Sequence, residues 1–158
     1  MKITYFPSEK LRIEDLNVYE LHFGMLMNDV VAMLGTPDAQ LVRGLERYRV
    51  HQYTRYSFFI NYDDLNTIDS FDFYGLEDLY VLDKPMSKMT YNDIQSWLVH
   101  EDIEMEVDVC EFKSRAKGIY GWTDDLEKKD ETIECLSFFP GTPSNSALLS
   151  SNEEETSR

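Results

Sequence analysis

The stretch YSFFINYDDLNTIDSFDFY (residues 56–74) has the composition of a β-hairpin. Its first part, residues 56–62, is rich in the aromatic and β-branched side chains that favour strands. It ends at Asp-Asp-Leu-Asn (residues 63–66), a combination typical of a tight turn. The return run, residues 68–74, again reads as a strand. We therefore predict two antiparallel strands joined by a short loop.

Two other stretches carry nearly the same eight residues, IEDLNVYE (residues 13–20) and LEDLYVLD (residues 76–83). The similarity resumes further on, where MLMNDV (residues 25–30) faces MTYNDI (residues 89–94). Matching segments in one common order indicate a tandem duplication. The two repeats are assigned to residues 13–74 and 76–139.

The first repeat contains one short predicted helix. Val30, Met33 and Leu34 follow the i, i+3, i+4 spacing of an apolar helix face. Gly35 is suited to the position just after a helix, and a proline follows it two residues later. Leu26 lies at the cap position, where it offers no side-chain acceptor, so this helix should begin without a side-chain cap.

The second repeat contains a predicted helix with the same spacing, formed by Ile94, Trp97 and Leu98. Thr90 and Asp93 stand three residues apart just before the apolar positions. That spacing matches a capping box, in which the two side chains satisfy each other's backbone N–H groups. This helix should therefore begin more firmly than the first.

Strand-like segments follow each predicted helix. IEMEVDV (residues 103–109) alternates strictly between apolar and acidic side chains, and GIYGW (residues 118–122) precedes a polar loop and a last strand over residues 132–139. The predicted fold class is α+β, with two tandem units. Each unit is a short helical segment followed by a 3–4-stranded antiparallel sheet, with the helices on one face. Residues 1–140 are predicted to form one compact domain, followed by a flexible polar tail over residues 141–158.

Composition narrows the possible partners. The chain has 30 acidic and 15 basic residues, a net charge of −15. Such a surface repels nucleic-acid phosphates and anionic membranes, so neither is an expected partner, whereas a basic protein would be attracted. No apolar run of signal-peptide or membrane-spanning length occurs, which favours a cytoplasmic protein.

The histidines, cysteines and glycine-rich turns of the sequence do not form a catalytic or metal-binding motif. The three histidines, His22, His51 and His100, lie far apart without metal-ligand spacing, and the cysteines, Cys110 and Cys135, have no local partner that would activate a thiolate. LGTPD and PGTPS lack the lysine of a phosphate-binding loop, so they are interpreted as turns. We therefore expect no enzyme activity, no catalytic residues, no metal and no cofactor.

The segment FGMLMNDVVAMLGTPD (residues 23–38) adds a family resemblance. Gly-Met, a short helix and Leu-Gly-x-Pro resemble the helix signature of the beta-lactamase-inhibitor-protein-like (BLIP-like) fold, shared with the SmpA/OmlA outer-membrane assembly lipoproteins. Residues 87–102 match more loosely, because they lack both the Gly-Met and the Leu-Gly-x-Pro. The resemblance implies two tandem units whose sheets join into a concave surface that grips another protein. Bacterial immunity proteins, which neutralise toxins, are an intracellular class that fits this implication.

A partner-binding surface is expected on the sheet face that the helices leave open. Acidic side chains of one strand and aromatic side chains near it are the candidates, because aromatic residues are frequent anchors of interfaces. The candidate partner-binding residues are Tyr53, Tyr62, Glu104, Glu106, Asp108, Tyr120 and Trp122.

The arginines Arg47, Arg49 and Arg55 form a stripe of opposite charge in the first repeat. They can belong to a bipolar grip on a partner, or they can pair with the acidic strand of the second repeat across a joined sheet. Sequence alone leaves both interpretations open, as it does the oligomeric state.

Three functions are consistent with these observations. The first is a protein-binding module, an immunity or inhibitor protein that occludes a partner such as a basic toxin. The second is a small-molecule-binding or enzymatic domain that uses the hollow between the repeats, which a deep pocket lined by His51 or Cys110 would favour. The third is a structural domain whose two sheets pack their polar sides on each other.

Overall fold

The computed structural model describes residues 1–100, 106–107, 111–122 and 133–141. Within these residues the chain forms thirteen β-strands, two α-helices and the short 3-10 helix Thr54–Tyr56. The helices are α1 (Met27–Leu34) and α2 (Tyr91–His100). The strands are β1 (Lys2–Phe6), β2 (Lys10–Glu14), β3 (Val18–His22), β4 (Ala39–Arg43), β5 (Tyr48–Tyr53), β6 (Phe58–Tyr62), β7 (Ile68–Phe73), β8 (Leu79–Val81), β9 (Lys84–Pro85), β10 (Glu106–Val107), β11 (Glu111–Ser114), β12 (Ile119–Trp122) and β13 (Cys135–Phe138).

The strands form two sheets. The small sheet has the order β3-β2-β1-β8-β9, with one parallel pair, β1 with β8, among antiparallel neighbours. The large sheet has the order β10-β11-β12-β13-β7-β6-β5-β4, and every neighbouring pair in it is antiparallel. The large sheet therefore joins two four-stranded meanders along the β7–β13 pair.

The predicted hairpin is confirmed and lies near the middle of the large sheet. β6 and β7 pair in antiparallel register, and the Asp63 side chain organises the turn between them. Its Oδ1 accepts hydrogen bonds from the backbone N–H groups of Leu65 (3.0 Å) and Thr67 (2.9 Å), and its Oδ2 accepts one from the Thr67 hydroxyl (2.6 Å). The turn residues thus satisfy the backbone groups that the strands leave unpaired.

One face of the large sheet, here called the inner face, carries the aromatic core. Phe58, Phe71 and Phe138 are fully buried on it, and register places them on the same side of the sheet. Three rings from other elements contact this face: Tyr5 of β1 stacks on Phe138 with centroids 3.9 Å apart, Phe23 lies 5.5 Å from Phe71, and Tyr91 of α2 lies 6.0 Å from Phe112. The small sheet and α2 therefore pack on the same face of the large sheet.

Tyr5 joins the two sheets through its hydroxyl as well as its ring. The oxygen accepts a hydrogen bond from the Ser8 N–H (2.9 Å) and faces the carbonyl oxygens of Lys117 (3.1 Å), Gly118 (3.3 Å) and Phe139 (3.3 Å). Burial raises the pKa of Tyr5, with a smaller opposing contribution from the Ser8 hydrogen bond. A buried hydroxyl needs such partners, because leaving it without them costs free energy.

The two helices begin as the sequence predicted. At α2 the Thr90 N–H donates to Asp93 Oδ2 (2.9 Å) and the Asp93 N–H donates to Thr90 Oγ1 (3.2 Å), which confirms the capping box. At α1 the cap position is Leu26, which makes no side-chain cap hydrogen bond. Gly35 follows α1 with a φ of 90°, a backbone conformation that glycine adopts without strain.

The predicted fold class is wrong. The chain is mostly β, with the small and the large sheet and only two α-helices among the described residues. The separate five-stranded sheet has no place in a scheme of two tandem helix-plus-sheet units. The scheme failed because it assigned residues 2–22 and 79–85 no strands, although these residues pair with each other across the sequence.

The two similar eight-residue stretches adopt different structures. Residues 13–20 run from the end of β2 through a turn into β3, whereas residues 76–83 form a loop and then β8. Leu16 is consequently 89% exposed at a hairpin tip, while Leu79, at the matching place, is 1% exposed inside a strand. Similar sequence therefore does not mark equivalent structural positions here.

The domain bounds and the tail stay predictions. Gly141, the first residue of the predicted tail, is described, and its N–H donates to Ser8 Oγ (2.9 Å). Residues 142–158 lie outside the described residues. Among the residues that are described, no helix has both the length and the apolar character needed to span a membrane.

Replacing Tyr5 with Phe should lower the free energy of unfolding by about 1–3 kcal/mol, because the Ser8 N–H and the facing carbonyls lose a buried partner. The control is Tyr80→Phe, at a half-buried ring of β8 that Lys2 covers from 4.7 Å. Its effect should stay within about 0.5 kcal/mol. Urea denaturation followed by circular dichroism measures both, and equal effects would contradict the proposed role of the Tyr5 hydroxyl.

Replacing Gly121 with Ala should also destabilise the large sheet. A Cβ at this position would lie 2.0 Å from Cζ of Phe112, the fully buried residue opposite it in β11. The expected loss is about 1–3 kcal/mol, typical of an overfilled core. Phe112→Leu in the same chain should make the Gly121→Ala loss smaller, because a shorter side chain relieves the clash. Urea denaturation measures the free energy of unfolding of the two single variants and of the double variant. If the loss in the double variant equalled the sum of the two single losses, this packing account would be contradicted.

Candidate partner-binding surface

The face of the large sheet opposite the inner face is here called the open face. Residues directly opposite each other on neighbouring strands point to the same side of a sheet. The registers define one row of positions that crosses all eight strands on this side. The row is Ala39, Gln52, Phe59, Asp72, Ser137, Tyr120, Lys113 and Glu106.

Two aromatic pairs lie on the open face, one on each half of the sheet. On one half, the rings of Phe59 and Tyr74 have centroids 5.3 Å apart, and Gln52 Nε2 donates to the Tyr74 hydroxyl (3.3 Å). On the other half, Tyr120 and Trp122 of β12 are half-buried. Partly covered aromatic rings of this kind combine apolar area with a polar tip.

Polar side chains separate the two aromatic pairs. Asn61 is buried, and its Nδ2 donates to Ser70 Oγ (3.0 Å) and to Asp72 Oδ2 (2.7 Å).

Burial, with the nearby charges of Glu134 and Asp72, raises the pKa of the Cys135 thiol. A thiol with a raised pKa stays protonated near neutral pH, so Cys135 is not activated as a nucleophile.

Charged residues lie at the β11 end of the open face. Lys113 Nζ lies 5.2 Å from the centroid of the Phe139 ring, a cation–π distance. Glu111 is exposed on the same strand and is opposite Trp122 in register. The arrangement, with aromatic groups inside and charges at the border, is typical of protein interfaces.

The predicted site residues are distributed between the surface and the core. Tyr120 and Trp122 lie on the open face, and Glu106 lies in β10 opposite Lys113. The other two acidic candidates, Glu104 and Asp108, lie outside the described residues.

Tyr53 and Tyr62 are core residues, which corrects the expectation that they contact a partner. Both are buried on the inner-face side of β5 and β6. The Tyr53 hydroxyl donates to the Gly35 carbonyl (3.0 Å), and burial raises the pKa of Tyr53 to about 12. The prediction failed because it counted aromatic residues in these strands without assigning them to faces.

Phe59, Tyr74 and Asp72 were missed as surface candidates, although the sequence holds a signal for the first. Phe58, Phe59 and Ile60 are consecutive residues of one strand, so the middle side chain must point away from the other two. A face assignment by period two places Phe59 on the open face. Tyr74 is exposed just after β7, where the strand alternation ends.

Among the described residues, the arginine stripe and the acidic strand lie on different parts of the large sheet. β5, which contains Arg49, and β10 are six strands apart in the large sheet, a separation of about 29 Å at the usual strand spacing. Arg55 instead forms an ion pair with Asp15, which ties the β2–β3 hairpin to the 3-10 helix. Arg47 lies in the β4–β5 turn with a φ of 56°.

A shallow cleft of about 260 Å³ lies where the two sheets meet. Its lining includes Tyr56, Phe73 and the acidic residues Glu77 and Asp78. Neither this cleft nor the smaller cavity beside Arg55 is lined by His51. Cys110 lies outside the described residues. Within the part of the chain that the structure describes, no three or more His, Cys, Asp or Glu side chains are grouped to hold a metal ion.

Comparisons with known proteins identified no relative. No family model, curated protein or solved structure matches this chain.

His51 and Tyr62 form a buried polar pair on the inner face. Their rings meet edge to face with centroids 5.1 Å apart. His51 Nδ1 and the Tyr62 hydroxyl have no hydrogen-bond partner among the described residues. Burial lowers the pKa of His51, and the nearby positive charge of Arg49 lowers it further.

Acidification should therefore destabilise the protein first through His51. The pKa of His51 is lower in the folded protein than in the unfolded chain, where it is about 6.5, so the unfolded state binds the proton more readily and stability is lost as the pH falls below that value. The free energy of unfolding should fall with decreasing pH by no more than about 1.4 kcal/mol per pH unit, the limit for one proton taken up on unfolding. Urea denaturation between pH 7.5 and 5 (about 0.5-unit steps) measures it.

His51→Phe and His51→Gln should both remove this pH dependence, because neither side chain titrates. The matched control is His22→Phe, at an exposed histidine of β3, which should keep the wild-type slope. If the free energy of unfolding of both His51 variants depended on pH as it does in the wild type, the pH dependence would come from other titratable groups. The carboxylates whose pKa values are lowered, such as Glu20, act only at lower pH.

Proposed function

We propose that this protein is a protein-binding module that occludes a basic partner with the open face of its large sheet. The observation that carries the proposal is the asymmetry of that sheet. Its inner face is filled by the aromatic core, whereas its open face carries Phe59, Tyr74, Tyr120 and Trp122 around a polar centre. Tyrosine and tryptophan are among the residue types that most often carry the binding energy of protein interfaces.

The size of the sheet supports a protein ligand. Eight strands span about 34 Å at the usual spacing, which is enough for the roughly 800 Å² that each partner contributes to a standard interface. A surface of that width can cover an active site by steric exclusion alone. The proposed action is therefore stoichiometric and includes no catalytic step.

Charge supports a basic partner. The net charge of −15 attracts a positively charged protein over long distances and raises the rate of encounter. The resemblance of residues 23–38 to BLIP-like proteins points in the same direction. We propose an immunity or inhibitor role in the bacterial cytoplasm, directed against a basic toxin encoded by a neighbouring gene.

A small-molecule ligand in the cleft between the sheets is the alternative. The aromatic lining of Tyr56 and Phe73, with two carboxylates nearby, favours a small organic cation. The cleft is somewhat smaller than the roughly 300–1,000 Å³ of most ligand sites, and it is shallow. We therefore rank this function second.

The test uses the purified chain and the purified product of the adjacent gene in isothermal titration calorimetry. Tyr74→Ala and Trp122→Ala should each weaken binding at least about tenfold, the usual effect of removing an aromatic anchor. Tyr80→Ala removes a half-buried aromatic ring from the small sheet and should leave the affinity unchanged within about twofold. Binding that is lost with Tyr80→Ala but kept in both open-face variants would assign the partner to the small sheet.

A further inference from the structure

β4 is the outermost strand of the large sheet, and it is exposed on both faces. Four of its five residues are exposed, with Leu41 at 50% on the open-face side and Val42 at 55% on the other. β4 pairs with β5 along one side. Among the described residues, no strand pairs with its other side.

This edge lacks the usual protection against pairing with another chain. Edge strands are commonly blunted by charged side chains, above all Lys, by Pro, by a bulge or by very short length. β4 reads AQLVR, and its five residues pair with β5 in unbroken register. Its one charged residue, Arg43, stands at its end, so the central positions Gln40, Leu41 and Val42 contain no charge, proline or bulge. A straight strand with apolar side chains and unpaired backbone groups is a template for a further strand.

We propose that β4 pairs antiparallel with β4 of a second copy of this chain, about a two-fold axis that passes through Leu41. A two-fold axis perpendicular to the sheet keeps both open faces on the same side. Side chains alternate between the two faces of a strand, and residues that oppose each other across the axis must point to the same face. A shift of the pairing by one residue is therefore excluded, and only shifts by two residues are allowed. Centring on the middle residue opposes Leu41 with Leu41, Gln40 with Val42 and Ala39 with Arg43.

Charge complementarity between the two ends of β4 favours this occupant. At the end of β4 and in the turn that follows it, the exposed charged side chains are Arg43, Glu46 and Arg47, two arginines against one carboxylate. Arg43 also lies 3.9 Å from the Asp69 carboxylate, so Arg47 is the turn arginine with no such pairing among the described ion pairs. At the other end, Asp38 is exposed, and hydrogen bonds from the Thr54 N–H (2.8 Å) and hydroxyl (2.9 Å) hold its carboxylate and lower its pKa.

The C-terminus of α1 adds to the negative end. Its last turn contains no basic residue, so the partial negative charge of the helix end is not neutralised within the helix. Antiparallel pairing brings the arginine-bearing turn of each copy next to Asp38 of the other copy. Because the two copies are related by a two-fold axis, this contact between opposite charges occurs at both ends of the strand pair. A parallel arrangement would bring like charges together.

Such a dimer extends the large sheet across the axis and places the two open faces side by side. A single strand edge buries less than the roughly 800 Å² per partner of a standard interface, so the association should be weak and dependent on concentration. The proposal does not rest on the proposed function, because β4 lies at the edge and the aromatic pairs lie further inside the sheet.

Sedimentation velocity of the full chain, from low micromolar to several hundred micromolar concentration, tests the proposal. The wild type should shift from monomer towards dimer as concentration rises. Leu41→Lys places two lysines at the axis and should weaken dimerisation at least about tenfold. Leu65→Lys is the matched control, because Leu65 is 74% exposed in the β6–β7 turn, away from the edge, and this variant should dimerise like the wild type.

Disulfide trapping tests the register. Opposed residues of antiparallel strands have Cα atoms about 4.5–5.5 Å apart, within the range that a disulfide bridges. In a chain whose native cysteines are replaced (Cys110→Ser, Cys135→Ser), Leu41→Cys should form a covalent dimer under mild oxidation, whereas Leu65→Cys should not. A wild type that stays monomeric at every concentration, or equal trapping in the two cysteine variants, would overturn the proposal.

Discussion

The contact of Tyr5 with the C-terminal strands is the constraint on which the arrangement of the two sheets depends. The ring stacks on Phe138, and the hydroxyl is held by the Ser8 N–H and by backbone carbonyls near Gly118. A tyrosine buried to this degree is stable only where every polar neighbour is in place. Its environment therefore fixes the position of the small sheet on the inner face of the large one.

The open face follows from that placement. The small sheet, Phe23 and α2 all contact the inner face, so the apolar surface of the large sheet is satisfied from one side. The aromatic residues that remain on the other side, such as Tyr74 and Trp122, are then not required by the core. The contacts between the sheets are aromatic, and this argues against a purely structural domain with stacked polar faces.

The sequence predicted local elements well and their assembly poorly. Asp63 at the hairpin turn and Thr90 with Asp93 at the α2 cap act through neighbours a few residues away, so their patterns suffice. Tyr53 and Tyr120 both lie in aromatic-rich strands, yet one is buried and the other is on the open face. Which face is covered depends on the distant small sheet, and no short pattern encodes that packing.

The parallel pairing of β1 with β8 has a consequence for how the chain assembles during synthesis. The first strand lies in the middle of its sheet, between β2 and a strand that begins at Leu79. Its Tyr5 also bonds to groups more than a hundred residues later in the chain. Contacts between such distant residues form slowly. β1 and β2 are therefore synthesised long before β8 and the C-terminal strands that complete their packing. Chaperone binding in that interval would protect the apolar side of β1.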